Sequence, residues 1–359
     1  MKKYVFITNQ FKTGGVESVF LNIARNTDKE ILLFPVHNSK DNYLIDSLPK
    51  NVSILQNKYL IKRNIVGLFK TIFIAYKYRK KFQSNDYRVI NFSDTLTTLL
   101  FSYITSPKTF FSWVHCNPYA LTNAKTYRLY WYLLKKCSKI IFISESQRDL
   151  FYKMSLSKNL CKENSLVCTN FVDISHIIKL SEEDIRLKNY FFMAARIDFR
   201  SKDYITLLKG YSLLPTKIRD KYKMVIAGNG PDIGRLKKMV ENMNLTDNVM
   251  LIGNQVNPYK YMKHAKLYIH SSISEGFSMA ILEALMCGCT VIASDCQVGP
   301  SEILLQGKYG YLYRPRDSKM LASKIKEALH NPIYEDEAIK RAEFITEKGK
   351  KQLRSFFDD

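Results

Sequence analysis

Two glutamates and a glycine occur within one short stretch of the chain. Glu275 and Gly276 follow a short apolar run, and seven residues separate Glu275 from Glu283, which lies among apolar residues at helical spacing. This pattern predicts a strand over 266–270, a turn, and a helix over Phe277–Cys287. Glycine lets backbone N–H groups approach a ligand, and a helix N-terminus favours a phosphate or a hydroxyl-rich group. Carboxylates can accept hydrogen bonds from pairs of sugar hydroxyls.

The alternative is a solvated helix face that happens to have two glutamates. Glu283, however, is flanked by Leu282, Ala284 and Leu285, in a helix that is apolar nearly all round. Such a helix is usually buried, and a buried carboxylate needs partners. The sequence therefore favours a ligand-binding role for the two glutamates.

Two cations follow the strand that is predicted over 191–194. Arg196 and Lys202 would lie at the carboxyl end of this strand, where an arginine fork and a lysine point charge suit a diphosphate. Ordinary surface cations are the alternative, and Arg200 competes with Lys202 for the second position.

The chain opens with a predicted strand over Tyr4–Thr8, a loop that ends at Gly15, and a helix over Val16–Arg25. Strand, glycine turn and helix are the opening of a Rossmann-like unit. The Gly-x-Gly-x-x-Gly fingerprint of dinucleotide binding is missing. The glycine pair Gly14-Gly15 therefore forms either a tight turn or a loop that faces a substrate.

A histidine, His115, follows another predicted strand over 110–114. In an open parallel sheet, ligands bind beyond the carboxyl ends of the strands. His115 is thus well placed to hydrogen-bond a substrate, for orientation rather than for proton transfer. The alternative is a histidine that loop carbonyls satisfy.

Length and alternation indicate two domains. The 359 residues are more than one core usually serves. Strand-like and helical runs alternate, which predicts α/β domains with parallel sheets covered by helices on both faces. The charged and polar segment Asp173–Tyr190 is a plausible linker, so the domains are predicted at 1–172 and 173–334, followed by a helix over 335–359.

The net charge of +22 is unevenly distributed. Between Asp46 and Glu145 there are sixteen lysines and arginines, against two acidic residues. A basic half of this kind implies an anionic partner, which could be nucleic acid, acidic lipid or a phosphorylated substrate. No nucleic-acid recognition module is found, so nucleic acid is not expected to be the partner.

A predicted helix over Ile61–Phe82 combines apolar and basic residues. Its apolar stripe comprises Ile65, Val66, Phe69, Ile72, Phe73 and Tyr76, and a neighbouring face has Arg63, Lys70, Lys77 and Lys81. A basic amphipathic helix can lie on an anionic membrane, and segment 124–139 is also basic and rich in aromatic residues. The alternative is a packed surface helix with snorkelling lysines.

Targeting and cysteine usage point to the cytosol. The apolar run after Lys2 and Lys3 is too short for a signal-peptide core, and no uncharged apolar run reaches membrane-span length. Seven cysteines, an odd number, show no paired Cys-x-x-Cys zinc spacing and are expected to be reduced thiols. We therefore expect a cytoplasmic protein that is peripherally associated with the membrane.

The stretch from Glu275 to Glu283 resembles the signature of family 4 retaining glycosyltransferases with the GT-B fold. Segments 288–296 and 299–303 resemble the next strand and loop of that family, and Asn170-Phe-Val-Asp173 resembles its hinge. The resemblance implies two Rossmann-like domains whose parallel sheets face each other across a cleft. It also implies that the helix over 335–359 packs back on the first domain.

The resemblance also implies roles for individual residues. Arg196 and Lys202 match the diphosphate pair, with one residue more between them than is common. Glu275 would accept hydrogen bonds from the transferred sugar, and Glu283 from the ribose. The remaining donor-binding residues would be Gly276, Phe277, Ser278 and Met279 at the helix start, and Asn254 and Val256 in the loop that reads the base. Gly15 and His115 would face the cleft from the first domain.

The sequence thus predicts a retaining glycosyltransferase that moves a sugar from a nucleotide-diphosphate sugar, most simply a UDP-sugar, to a lipid-linked saccharide acceptor in surface polysaccharide assembly. Retention is implied by the resemblance alone. No cofactor and no metal are expected, since fixed cations can neutralise the diphosphate and no Asp-x-Asp motif is present. The alternatives are a GT-B sugar-nucleotide epimerase or phosphorylase and, from another class, a basic nucleic-acid-binding protein.

Overall fold

The computed structural model describes residues 2–11, 14–37, 48–55, 65–122, 126–154, 157, 160 and 162–358, with the backbone alone at 65 and 66. The chain divides into two compact units. The first comprises Met1–Asn170 and Lys348–Asp359, and the second comprises Phe171–Glu347. Each unit is built around its own parallel β-sheet.

The first unit has a seven-stranded parallel sheet. Its strands are β1 (Lys3–Thr8), β2 (Ile31–Pro35), β3 (Val52–Ile54), β4 (Tyr87–Asn91), β5 (Phe111–Val114), β6 (Lys139–Phe142) and β7 (Ser165–Val167). They lie in the order β3-β2-β1-β4-β5-β6-β7. The central strands are buried runs of apolar residues, as expected for a sheet covered on both faces.

In the part of the first unit that the structure describes, the helices between the strands are α1 (Gly15–Arg25), α2 (Ile65–Phe82), α3 (Leu96–Thr105), α4 (Tyr127–Leu134) and α5 (Glu145–Lys153). A short 3₁₀ helix spans Pro118–Thr122. Helix α3 packs against both α2 and α4. Side chains of Thr95 and Ser144 cap α3 and α5 by accepting hydrogen bonds from backbone N–H groups three residues on.

The second unit has a six-stranded parallel sheet. Its strands are β8 (Tyr190–Ala194), β9 (Lys223–Ala227), β10 (Val249–Gly253), β11 (Leu267–His270), β12 (Val291–Ser294) and β13 (Tyr311–Tyr313), in the order β10-β9-β8-β11-β12-β13. Its helices are α6 (Ile174–Ser181), α7 (Tyr204–Ser212), α8 (Thr216–Lys221), α9 (Ile233–Asn242), α10 (Tyr259–His264), α11 (Met279–Met286), α12 (Pro300–Ile303) and α13 (Ser318–His330).

The last helix, α14 (Glu335–Asp358), belongs to both units, because residues from Lys348 onward group with the first. Two hydrogen bonds fix this end in the first unit. The Tyr4 hydroxyl donates to the Phe357 carbonyl at 3.0 Å, and the Thr169 N–H donates to the Gln352 side chain at 2.9 Å.

The predicted α/β fold with two Rossmann-like domains, each with a parallel sheet, is confirmed. The segment Asp173–Tyr190 was predicted to be a linker, and this was wrong in part, because it contains α6. Asp173 caps this helix by accepting the His176 N–H at 3.1 Å, and α6 packs against α10 and α11. Most of the charged residues that gave the segment the composition of a linker lie after α6, between Glu182 and Lys188.

The two faces of α2 differ from the amphipathic pattern that the sequence suggested. The buried face comprises Gly67, Thr71, Ile74, Ala75 and Phe82, while the exposed face comprises Phe69, Lys70, Phe73, Tyr76, Lys77, Lys80 and Lys81. The aromatic residues of the predicted apolar stripe thus share one exposed face with the lysines. Arg63 and the start of the predicted helix at Ile61 lie outside the described residues.

Candidate active site

A lysine, a serine and a histidine converge on one oxygen of Glu275. Lys202 Nζ forms an ion pair with Oε1 of Glu275. The Ser272 hydroxyl donates to the same oxygen at 2.6 Å, and His270 Nε2 lies 2.9 Å from it. Lys202 Nζ also donates to the Ser272 hydroxyl at 3.2 Å. Among the described residues no group donates to Oε2 of Glu275, so one oxygen is anchored and the other is available to a ligand.

Backbone hydrogen bonds bring the two segments of this cluster together. The Ile273 N–H donates to the Ser201 carbonyl at 2.8 Å, and the Asp203 N–H donates to the Ser271 carbonyl at 3.0 Å. These bonds flank an antiparallel bridge between Lys202 and Ser272. The lysine is therefore held over the turn between β11 and α11 by the backbone on both sides.

The charge of Glu275 is maintained against its burial. Burial alone would raise the pKa of this carboxyl group, but the charge of Lys202 and the hydrogen bond from His270 outweigh it. The pKa of Glu275 consequently lies well below its usual range. Burial and the nearby charge of Lys202 lower the pKa of His270, so its imidazole is neutral beside an ionised carboxylate.

The two candidates for the second cation of the site have different surroundings. The Lys202 side chain is only 15% exposed, whereas that of Arg200 is 82% exposed. Arg200 forms a two-point ion pair with Asp198, at 2.9 Å from Nε and 2.7 Å from Nη2. The structure thus places Lys202, and not Arg200, against Glu275.

Arg196 lies just beyond the carboxyl end of β8, and its side chain is exposed and makes no hydrogen bond within the described residues. Its backbone is fixed by the Tyr204 hydroxyl, which donates to the Arg196 carbonyl at 3.2 Å. The turn Gly228–Gly230 packs against the same segment. A Cβ atom at Gly230 would lie 2.2 Å from the Ile197 carbonyl oxygen, so this close approach requires glycine.

Helix α11 begins two residues later than the sequence predicted. Ser278 precedes it in the left-handed region, with φ of 80°, so Phe277 and Ser278 belong to the turn. The Ser278 hydroxyl is buried and finds no hydrogen-bond partner in the described part of the chain. Gly276 and Met279, on either side, are partly accessible, while the Phe277 ring is buried. The N-terminus of α11 therefore offers an unused hydroxyl together with its unpaired N–H groups.

Glu283 lies half-buried on α11, about one turn from this N-terminus. Burial raises the pKa of its carboxyl group to about 7, and a hydrogen bond from the Tyr259 side chain opposes this rise in part. Tyr259 begins α10, which packs against α11. The loop between β10 and α10 leaves the side chains of Asn254 and Val256 exposed. These residues, like Arg196 and Lys202, all belong to the second unit.

In the first unit, His115 lies just beyond β5, packed between aromatic rings. Its ring centroid is 4.3 Å from that of Phe92, and its Nε2 is buried without a hydrogen-bond partner among the described residues. Burial lowers the pKa of His115 to about 3. Gly15 begins α1, and a Cβ atom added there would meet open space, so packing alone does not require glycine.

A carboxylate next to His115 was not predicted from the sequence. Asp94 Oδ2 accepts the backbone N–H of His115 at 3.0 Å and that of Cys116 at 2.7 Å, which fixes the turn after β5. Its Oδ1 is buried and has no hydrogen-bond partner within the described residues. In the sequence, Asp94 is one of two isolated acidic residues in a basic region, and no local motif connects it with His115, 21 positions later.

His270 and Ser272 were also missed. In the sequence, His270 ends a buried strand and looks like part of its apolar run. The only signal was that a histidine, a serine and a glutamate occur within six residues at a strand-to-helix turn.

Neither a metal cluster nor a disulfide is found in the described part of the chain. No group of three or more metal-ligating side chains lies together there. All six described cysteines are unbonded, and Cys161 lies outside the described residues. No described helix combines the length and apolarity that crossing a membrane demands.

Comparisons with known proteins agree with this geometry. The family model of glycosyl transferases group 1 matches residues 180–351, just under half of the chain. The chain is 29% identical over 209 residues to the N-acetylgalactosamine-N,N'-diacetylbacillosaminyl-diphospho-undecaprenol 4-alpha-N-acetylgalactosaminyltransferase of Campylobacter jejuni, which covers 58% of this chain and 53% of the relative. The chain is also 29% identical over 223 residues to the poly(ribitol-phosphate) alpha-N-acetylglucosaminyltransferase of Staphylococcus aureus. This alignment covers 60% of this chain and 43% of the relative.

These alignments span about half the length of the curated relatives. Among solved structures, HepE of Anabaena in complex with UDP and glucose superposes with a TM-score of 0.78 at 18% identity, over 100% of this chain and 99% of that one. The chain therefore has the GT-B fold, and its residues 180–351 match the glycosyl transferases of group 1.

Proposed function

We propose that this protein is a retaining glycosyltransferase of family 4 that transfers a sugar from a UDP-sugar. The observation that supports this most directly is the buried cluster of Lys202 and Glu275 at the turn before α11. This cluster places a cation, an ionised carboxylate with one unoccupied oxygen, and a helix N-terminus in one small region.

Each of these groups suits one part of the donor. When the nucleotide diphosphate departs, negative charge develops on its phosphate oxygens, and the fixed cations Arg196 and Lys202 stabilise that charge. The N–H groups from Gly276 to Met279 and the unused Ser278 hydroxyl suit the phosphate or the sugar. No proton transfer by a side chain is needed for these contributions.

The two glutamates suit different hydroxyl groups. Glu275 Oε2 is the free acceptor of the carboxylate that Lys202 contacts, where the transferred sugar would lie. Glu283 lies about one turn into α11, on the helix that packs against α10, and the loop that precedes α10 exposes Asn254 and Val256. This arrangement suits a ribose whose base contacts that loop. His115 and Gly15 of the first unit are proposed to face the transfer site.

The acceptor is proposed to be a lipid-linked saccharide of surface polysaccharide assembly, such as O-antigen, capsule or exopolysaccharide. The relative from Campylobacter jejuni is named for a diphospho-undecaprenol acceptor, and that from Staphylococcus aureus for a poly(ribitol-phosphate). A basic first unit suits an acceptor with a phosphate or a diphosphate. A sugar-nucleotide epimerase or a phosphorylase with the GT-B fold is the alternative.

The decisive experiment is a donor screen. The purified protein is incubated with UDP- and GDP-sugars, with and without an undecaprenyl-diphosphate-linked saccharide, and released nucleotide and product are measured. We expect release of UDP that depends on the acceptor. The glycosylated product should have the same anomeric configuration as the donor sugar. Epimerised or hydrolysed sugar without an acceptor would favour the alternative, and no turnover of any nucleotide sugar would contradict the proposal.

Transfer is also proposed to be independent of metal ions, because side-chain cations neutralise the diphosphate. Activity should therefore be the same in EDTA as in buffer. Loss of activity in EDTA that Mg²⁺ or Mn²⁺ restores would contradict this part of the proposal.

The exposed face of α2 is proposed to lie on the anionic cytoplasmic surface of the membrane, which would bring the enzyme to its lipid-linked acceptor. Phe69, Phe73 and Tyr76 are 67%, 59% and 57% exposed. Lys77 Nζ lies 4.6 Å from the centroid of the Phe73 ring, so cations surround the aromatic groups. Aromatic rings at the headgroup level and lysines beside anionic lipid are typical of interfacial helices.

Vesicle sedimentation tests this surface. Reversal of Lys70, Lys77 and Lys81 to Glu should release the protein from anionic vesicles, and salt should weaken binding of the native protein, because exposed charges are screened over about 10 Å at 0.1 M. Reversal of the exposed Lys217, Lys237 and Lys238 of the second unit changes the net charge equally and should leave binding intact. Equal effects of the two triple variants would contradict the assignment of α2.

A further inference from the structure

The imidazole of His270 is buried at the centre of the Glu275 cluster. His270 ends β11 and is only 1% exposed. Its Nε2 lies 2.9 Å from Glu275 Oε1 and 3.1 Å from the Ser272 hydroxyl oxygen, while its Nδ1 is buried with no partner among the described residues. A histidine that only filled space in this core would not need to direct a ring nitrogen at a carboxylate.

The hydrogen-bond inventory determines which nitrogen has the proton. The Ser272 hydroxyl has one proton, which it donates to Glu275 at 2.6 Å, so towards Lys202 and His270 its oxygen can only accept. A bare Nε2 would direct its lone pair at a carboxylate oxygen and leave a buried Nδ1–H without an acceptor. The cluster is therefore consistent with one form of His270, the neutral imidazole with its proton on Nε2.

Building on the proposed function, we propose that His270 is a positioning residue, which holds Glu275 by its Nε2–H so that Oε2 faces the transferred sugar. Lys202 also holds Glu275, but in the proposed function this lysine must in addition interact with the diphosphate of the bound donor. Once that happens, His270 and Ser272 are the groups that keep Oε1 anchored. The orientation of the glutamate is then independent of the cation that the donor recruits.

Two substitutions at one position test this role. His270→Gln can place an N–H donor near the site of Nε2, whereas His270→Leu removes it and keeps the apolar volume. His270→Leu should lower kcat by about ten- to a hundredfold, as expected for the loss of a hydrogen bond to a charged group, and His270→Gln should restore most of it. Free UDP affinity should be unchanged in both, because the proposed contact is to the sugar.

A double-mutant cycle separates positioning from a merely structural role. If His270 acts through Glu275, then His270→Leu should have no further effect on kcat in a Glu275→Gln background. An undiminished effect in that background, or equal losses in the Leu and Gln variants, would overturn the proposal. Thermal unfolding of each variant confirms that the compared proteins are folded.

A spectroscopic measurement keeps this test apart from the proposed function. In protein with ¹⁵N-labelled histidine, the signal that His270→Leu removes should show a neutral ring with its proton on Nε2, and Glu275→Gln should shift the Nε2 resonance. If the native protein turns over no nucleotide sugar, the proposed function fails, while this result still supports or refutes the contact. A proton on Nδ1, or a resonance that Glu275→Gln leaves unmoved, would overturn the role of His270.

Discussion

Both units have a buried histidine at the carboxyl end of a parallel strand with a carboxylate beside it, but the two pairs are connected differently. In the first unit, the backbone N–H of His115 donates to Asp94 at 3.0 Å, while the imidazole Nε2 has no partner within the described residues. In the second unit, the imidazole of His270 itself contacts Glu275 at 2.9 Å.

The two carboxylates respond to burial in opposite ways. Burial raises the pKa of Asp94 to about 6, because the hydrogen bonds from His115 and Cys116 offset only part of the free energy that is needed to bury the charged carboxylate. Burial acts in the same direction on Glu275, but the charge of Lys202 reverses the outcome and lowers its pKa. The presence of one buried cation thus separates a carboxyl group that titrates near neutrality from one that stays ionised.

This difference gives the two strand ends different chemistry. The charged cluster of the second unit is suited to a ligand whose own charge changes during a reaction, because its cation can stabilise the new charge. The His115–Asp94 pair of the first unit is suited to orienting a polar group, because no cation is among the groups that set the pKa of Asp94. The carboxyl end of a strand in a parallel sheet can therefore be suited to a reacting group or to a positioning group, according to one neighbouring side chain.

The largest effect is expected from removal of the cation. Lys202→Met keeps the length of the side chain and should lower turnover by about a hundred- to a thousandfold, the cost typical of losing a group that stabilises charge in the transition state. It should also raise the pKa of Glu275, since the charge that lowers it is gone. Steady-state kinetics with a UDP-sugar would measure the first effect.

Arg200→Met is the matched control, because Arg200 is close in sequence but paired with Asp198 on the surface. We expect Arg200→Met to leave turnover near that of the native protein. If the two variants lose equal activity, the assignment of Lys202 as the cation of the site is wrong.

The next effect separates the two glutamates. Glu283→Gln should weaken binding of free UDP by about ten- to a hundredfold, because a hydrogen bond to a charged group contributes roughly 1.5–3 kcal/mol. Glu275→Gln should spare UDP and depress turnover, because its proposed partner is the sugar. Calorimetry on both variants, with thermal unfolding beside it, would show reversed roles if Glu275→Gln alone lost UDP.

The sequence predicted the fold and the general place of the site, but not its internal contacts. The alternation of strands and helices and the run from Glu275 to Glu283 are local patterns, so they could be read directly. The start of α11 was predicted two residues early, because the left-handed conformation of Ser278 is not evident in an apolar run.

Contacts between distant segments could not be predicted in this way. The bond from Lys202 to Glu275 joins residues 73 positions apart, and that from Asp94 to the turn at His115 spans 21. On α2, the aromatic residues looked like a buried stripe, but small residues such as Gly67 and Ala75 face the core instead. Which face of such a helix is buried depends on the neighbouring helix α3, which the local pattern does not contain.

A smaller effect is expected from the ionisation of Glu283. Its pKa of about 7 in the free protein means that a ribose, which prefers the ionised carboxylate, must displace a proton at lower pH. UDP affinity should therefore fall below pH 7, by up to about tenfold for each pH unit. Because UDP itself titrates near pH 6, Glu283→Gln is the control, and an identical pH dependence in that variant would exclude the effect.

The last prediction returns to the first unit and concerns stability. The pKa of Asp94 is raised in the folded state, so its stabilising contribution is present below about pH 4 and is lost as the pH rises through about 6. The pKa of His115 is lowered to about 3, so its contribution is present above about pH 6.5 and is lost as the pH falls. Between these limits the two contributions oppose each other.

Asp94→Asn removes the titration of Asp94, and the amide can keep an oxygen that accepts the N–H groups of His115 and Cys116. Between pH 6 and pH 4, the thermal midpoint of this variant should therefore fall more steeply than that of the native protein. A difference of about 2–4 °C is the shift that 1 kcal/mol produces in a domain of 150–250 residues. His115→Gln should change the slope in the opposite sense. Parallel pH profiles in all three proteins would show that neither group titrates as its burial requires.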